Sequence, residues 1–355
     1  MSRSRLFLAS IAALAIGCSN DPGPGGDPDS GVDPGVDGGG DPLDDGGGLP
    51  PGDGGPLESH TITFGPIEDV PPGTENTQCV VVRLGNAAQL RVGAIHNVLA
   101  TGSHHFIVYR TNATEEQAVP FDCEPFVDTL DPAAGSPLMI TQRADELLEL
   151  PQGVAFSLEP NQMIRLEMHY INYSPEPIDI SATAEFIPIP DAEFQHEADF
   201  LFIGNPDIDL APRTTATLGP TYFQLPAEFD GVNFFGITGH THQYGTNVQV
   251  WSTPSETGTD TAVYDVAGWN WHEPATVRHD PAFQVPTGGG FRFTCEWNNT
   301  SDAAVGFGES ANDEMCFFWA YYYPSRGARV CAHTDQVPGG FDLCCPGSPL
   351  CDMVF

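Results

Sequence analysis

The sequence predicts an all-β protein made for export. Three observations predict it. The chain carries 33 Pro and 39 Gly in 355 residues, and punctuation this dense divides a chain into short strands and turns. Short apolar or alternating runs follow one another, and no long stretch has helical periodicity. Nine Cys suit an oxidising compartment, where disulfides persist. Charge then narrows the functions. The chain has 48 acidic residues against 12 basic ones, all 12 of them Arg, for a net charge of −36. Such a surface repels phosphate backbones and anionic lipid, which excludes nucleic-acid binding and a polybasic membrane patch.

In chain order, the first element is a leader over residues 1–18. Arg3 and Arg5 precede an 11-residue apolar stretch, Leu6 to Ile16, too short to span a bilayer. It ends Ala15-Ile16-Gly17-Cys18. This resembles a bacterial lipoprotein signal, which implies a lipidated Cys18, cell-envelope anchoring, and outer-membrane sorting given Ser19. Residues 19–57 form a tether. Its 39 residues hold 14 Gly, 9 Asp and 8 Pro and no aromatic, so it cannot bury enough apolar area to offset its ordering entropy. As a flexible coil it spans about 35 Å.

The folded part, 58–355, is long enough for two sandwiches. Strands are expected over residues 79–84, 89–95, 104–110, 163–173, 178–187, 232–238, 247–251, 291–297 and 314–323, with one short helix over 142–150. The Pro-rich segment 187–191 marks the boundary between domains 58–190 and 191–355.

Three His clusters stand out. The strand around His169 alternates: Ile164, Leu166, Met168 and Tyr170 point one way, Arg165, Glu167 and His169 the other. His169 therefore belongs to the polar face. His240 and His242, two apart, share a face and can reach one ion, although such a pair also arises in polar turns. His104 and His105 are adjacent and point to opposite faces unless the strand bulges or ends there. Near the C-terminus, Met315 and Cys316 face opposite ways. A disulfide at Cys316 would hold Met315 on the far face, where its thioether is a soft donor for Cu(I).

This order of residues resembles the type II copper, ascorbate-dependent monooxygenases, the family of peptidylglycine α-hydroxylating monooxygenase and dopamine β-hydroxylase. The resemblance covers most of residues 75–335: a His-His pair, a lone His, His-x-His, then Met followed by Cys. His105 and His169 lie 64 residues apart, His242 and Met315 73 apart. Gly306-Phe307-Gly308, Glu314-Met315-Cys316 and Tyr322-Tyr323-Pro324 are most similar to the dopamine hydroxylase branch.

The resemblance implies two tandem jelly-roll sandwiches, each with one mononuclear copper, facing each other across a solvent-filled cleft. His104, His105 and His169 would hold the electron-storing copper. His240, His242 and Met315 would hold the copper that binds O2 and hydroxylates a C–H bond, with ascorbate or an equivalent as reductant. The same ligand sets would also serve a non-catalytic copper-buffering lipoprotein.

The resemblance further implies disulfides Cys79–Cys123 and Cys295–Cys316. Cys331, Cys344, Cys345 and Cys351 allow three pairings. Where peptide hydroxylases carry a carboxylate-binding Arg and Tyr, this chain has Thr238 and Trp319, and Glu167 replaces a Gln. A small neutral or cationic organic substrate is expected, stacked near Trp319. His60, His96, His196, His272, His279 and His333 have no assigned partner. Trp269, Trp271 and His272 read as aromatic packing or as lining of the cleft.

Overall fold

The structure, a computed structural model, describes residues 57–126, 135–346 and Cys351. The leader with Cys18, and the tether as far as residue 56, lie outside the described residues. Among the described residues the regular structure is strand, apart from two single-turn 3-10 helices, so the all-β expectation holds. Among the described residues no helix is long and apolar enough to cross a membrane.

The first body contains β1 (His60–Val70), β2 (Glu75–Arg83), β3 (Leu90–Leu99), β4 (Ser103–Thr111), β5 (Gln117–Asp122) and β6 (Gly135–Thr141). It continues with β7 (Asp145–Glu149), β8 (Val154–Leu158), β9 (Met163–Ile171), β10 (Ile178–Pro188) and β11 (His196–Glu197). One sheet runs β1-β10-β3-β8-β11 with β7 also paired to β3, and the other runs β5-β2-β9-β4-β6. In β10 the alternation is clean: Ile180, Ala182, Ala184 and Phe186 are buried between half-exposed neighbours. Residues 145–149 form β7 instead of the expected helix over 142–150. They pair antiparallel with β3 from Ala94↔Glu149 to Val98↔Asp145, since a short Leu-containing run takes whichever partner tertiary packing offers. The pairing of β11 with β8 extends the first body past the Pro-rich segment 187–191.

The second body contains β12 (Asp199–Gly204), β13 (Asp209–Leu210), β14 (Thr214–Gln224), β15 (Asn233–His240), β16 (Gly245–Thr253) and β17 (Thr261–Asp265). Then come β18 (Val277–Phe283), β19 (Gly290–Asn299), β20 (Val305–Gly306), β21 (Phe317–Tyr323), β22 (Arg329–Thr334) and β23 (Phe341–Cys345). A six-stranded sheet, β18-β15-β21-β12-β22-β23, lies with a four-stranded one, β14-β19-β16-β17, and β13 pairs with β20.

The middle strands of the six-stranded sheet are buried on both faces. Phe318, Ala320 and Tyr322 of β21 and Leu201 and Ile203 of β12 join the core of the second body. Phe317, Trp319 and Tyr321, with Phe200 and Phe202, join the core of the first. This is why Phe317–Tyr323 reads as an unbroken apolar run and not as an alternating one. Between the bodies, Tyr321 Oη accepts the Ile140 N–H at 3.2 Å.

All four disulfides fall within one body or the other. Cys79–Cys123 and Cys295–Cys316 form as expected. Of the three pairings open to the tail, the chain adopts Cys331–Cys344, directly across β22 and β23, and Cys345–Cys351. His333 sits on the same hairpin, with Asp342 Oδ1 2.6 Å from Nδ1 and Asp335 Oδ1 3.3 Å from Nε2. The hydrogen bond to Asp342 leads in raising the imidazole above its ordinary value, with burial opposing. A raised pKa means that the folded state binds the proton more tightly. The stabilisation is therefore full below the ordinary His value of about 6.5 and is lost as pH rises through the raised one. Urea unfolding should show His333→Ala costing about 0.5–1 kcal/mol more at pH 5.5 than at pH 9. An equal cost at both pH values would discard this pairing.

Candidate metal centres

The first cluster depends on an irregularity in the sheet. Strands β4 and β9 pair Ser103↔Tyr170 and then His105↔His169, so β4 spends one extra residue, His104, on the same length of β9. A bulge of this kind re-aims side chains, and it meets the condition under which adjacent His104 and His105 can converge. Their ring centroids are 5.3 Å apart, His104 lies 5.4 Å from His169, and His105 lies 4.6 Å from His169.

Nitrogen positions are more telling. His169 Nε2 is 3.1 Å from Glu75 Oε1. Because a carboxylate accepts, Nε2 carries a proton, which leaves Nδ1 to face His105. That Nδ1 is 3.0 Å from His105 Nε2. Two imidazole nitrogens so close share either a proton or an ion, and metal–nitrogen distances of about 2.0 Å permit the second. Both nitrogens of His104, and Nδ1 of His105, are buried with no hydrogen-bond partner, which costs about 1–3 kcal/mol each unless something else satisfies them. Burial, followed by the neighbouring imidazoles, holds His104 and His105 well below the ordinary His value. They are therefore neutral, the form that ligates.

The second cluster lies where β15 ends. His240 and His242 present their rings edge to face, with centroids 5.1 Å apart. His240 Nδ1 donates to Gln142 Oε1 of the first body at 3.2 Å, and its Nε2 is buried without a partner. His242 Nδ1 donates to the Asp313 carbonyl at 3.2 Å. Burial keeps His240 well below its ordinary value and His242 at about 4. The turn after His242 closes with Gly245 N–H to His242 O at 2.9 Å, and a Cβ on Gly245 would overlap the Thr241 side chain.

Glu314 organises this turn. Fully buried, it accepts hydrogen bonds from the N–H groups of His242 (2.8 Å), Tyr244 (2.7 Å) and Met315 (3.3 Å), and from Trp297 Nε1 (2.8 Å). Burial pushes its carboxyl up to about 7, and these donors pull the other way. Cys316 is fixed in the core of the second body by its disulfide, and Met315 faces the core of the first. The two side chains turn to opposite cores as expected, although they precede β21, which begins at Phe317 and not at residue 314.

Residues 211–338 match the family described as copper type II ascorbate-dependent monooxygenase, C-terminal domain. This monooxygenase match spans His240, His242 and Met315 and leaves the first cluster outside it. Among solved structures, a protein from Eubacterium rectale is 10 % identical, covering 70 % of this chain and 68 % of its own, with a TM-score of 0.19. The infectious bursal disease virus Gx strain is 10 % identical over 76 % of this chain and 72 % of its own, with a TM-score of 0.20. Overlaps this small bear on neither fold nor function.

Among the described residues, the two His clusters do not face each other across an open, solvent-filled cleft; the space between the bodies opens instead beside Met139, Glu146, Thr276, Arg278 and Tyr321. His104, His105, His240 and His242 are each 1 % exposed, His169 4 % and Met315 5 %. The Phe126 ring sits between the clusters, 4.9 Å from His105 and 6.2 Å from His240. The polar face of β9 is covered as well. Glu167 is fully buried and accepts from Tyr109 Oη at 3.1 Å and Phe126 N at 2.8 Å. Trp319 is 1 % exposed, 6.1 Å from the His240 ring, so it offers no aromatic wall to solvent. Thr238 shares a hydrogen bond with Thr276, which donates to Glu146 of the first body.

Among the described residues, no three His, Cys, Asp or Glu side chains already stand in a finished ligand group. What exists is two sets of partly orphaned imidazoles, the second joined to the segment of Met315 through the Glu314 carboxylate. Sequence reasoning missed Glu75, brought to His169 by the pairing of β2 with β9, and Gln142, brought to His240 by the packing of the two bodies. It left His272 undecided, and the structure puts that ring, with Trp271, 5.0 Å from His104.

Proposed function

We propose that this protein is a copper-dependent monooxygenase with two mononuclear centres. His104, His105 and His169 would hold one ion; His240, His242 and Met315 would hold the other. When bound, copper supplies the one-electron chemistry that lets O2 be reduced, for an overall R–H + O2 + two electrons + two protons giving R–OH + H2O. The observation that carries the reading is the pair of clusters whose buried imidazole nitrogens lack partners, one of them inside the stretch matched to the monooxygenase domain.

The chain's own residues do the rest. Glu75 fixes the tautomer of His169, Gln142 that of His240, and the Asp313 carbonyl that of His242; such partners set ring orientation and ligand basicity. Glu314 places the His242 and Met315 backbones together. The packed boundary between the bodies buries both clusters. An external reductant such as ascorbate supplies the electrons. The substrate is a small neutral or cationic molecule, because Thr238 offers no cation for a carboxylate and the net charge of −36 favours cations. The four disulfides place the folded part in an oxidising, exported setting, and we assign anchoring to a lipid on Cys18.

One observation favours a second reading, a copper-buffering protein without turnover: Thr238 and Trp319 are both sealed. Metal analysis of the purified, folded chain should give about two coppers, and His169→Ala should lose one of them, since removing a ligand costs more than the 10–100-fold of an outer-shell change. Less than about one copper per chain would end both readings. Substrate-dependent O2 consumption with ascorbate, over amines, phenols and amidated peptides, separates them.

A further inference from the structure

The segment between β17 and β18 belongs to the second body, yet it delivers an imidazole to the first cluster. His272 lies 5.0 Å from His104, ring centroid to ring centroid. That is inside the 4.6–5.4 Å range that separates His104, His105 and His169 from one another. Local structure holds it there. Asn270 Oδ1 accepts the His272 N–H and Asn270 O accepts the Glu273 N–H, both at 3.1 Å, a side-chain-capped turn that fixes the backbone. Trp271 packs on His104 at 5.0 Å and on His272 at 5.5 Å. His104, the ring it approaches, has two buried nitrogens without a partner, and His272 is only half-buried, so it closes the cluster on its outer side.

We propose that His272 is a fourth imidazole of the first metal centre, contributed across the domain boundary by the second body. This rests on the copper reading given above. Three imidazoles from β4 and β9 make an open set, and a fourth nitrogen completes the tetragonal environment that suits Cu(II). The first centre is then whole only while the bodies are together, and domain closure is linked to holding the oxidised ion.

The test uses the full chain carrying His242→Ala, so that one copper, at the first centre, is retained. Cu(II) is added, and its nitrogen couplings are counted by pulsed electron paramagnetic resonance, alone and with His272→Ala or His272→Gln. Four coupled imidazoles are expected with His272 present and three without it, with Cu(II) affinity weakened about 10–100-fold. His196→Ala, on the stack with Tyr323, should change neither readout. A count of three in the chain that retains His272 overturns the proposal without any further variant. So does an unchanged spectrum and affinity on its replacement. Absence of copper from every chain overturns the copper reading instead. His240→Ala replaces His242→Ala should that chain fail to fold.

Discussion

Met315→Ile is expected to lower O2-dependent hydroxylation by at least about 100-fold, beyond what loss of an outer-shell partner costs, while Cu(II) still binds at His240 and His242. Imidazoles suit Cu(II), and the thioether is the soft donor that favours Cu(I). Ile is close to Met in size, so repacking among the apolar side chains that surround Met315 should cost under about 1.5 kcal/mol. The chain should stay folded and lose function selectively. Turnover near that of the unsubstituted protein, with a normal Cu(II) spectrum, would make Met315 a packing residue only.

Glu314→Ala is expected to destabilise the second body by about 3–5 kcal/mol, as breaking a buried charged network does. Four N–H donors, from His242, Tyr244, Met315 and the Trp297 indole, converge on this one carboxylate. All would be left unpaired, those of His242, Met315 and Trp297 in buried surroundings, at about 1–3 kcal/mol for each buried group. Glu314→Gln keeps one acceptor oxygen and should lose less. Denaturant unfolding measures the order, and metal analysis should show His240 and His242 releasing copper in the Ala variant. If both variants unfold like the unsubstituted chain, the carboxylate is incidental to the turn.

The sequence was most legible where local geometry decides. Alternation along β21 puts Phe317 and Trp319 on one face and Phe318 and Ala320 on the other, whatever packs above them; Met315 and Cys316, just before it, also turn to opposite cores, and His240 and His242 converge where β15 ends. The His104–His105 pair was legible only as a condition, a bulge, because register with the partner strand is a property of two segments 64 residues apart. The polar face of β9 is legible as polar, yet Glu167 and His169 on it are buried: alternation reports what a face is made of, not what covers it. Glu75 and Gln142 meet their His partners at separations of 94 and 98 residues, and the packing of sheets and bodies sets such contacts. The same holds for Trp319, whose sealing depends on the first body. Residues 142–150 show the limit for short apolar runs, whose period fits helix and strand alike.

The position of β12 decides what can be cut from this chain. It is an interior strand, hydrogen-bonded to β21 on one side and β22 on the other, yet it ends at Gly204, before the matched stretch begins at residue 211. A fragment of 211–338 would lose that strand and β23 together. The flanks of β21 and β22 would become raw edges, with rows of free N–H and C=O groups that recruit other chains. Expression of the matched stretch alone should therefore yield aggregate, and a soluble fragment has to begin before Asp199. The stretch by which the second body is recognised is shorter than the stretch that can fold.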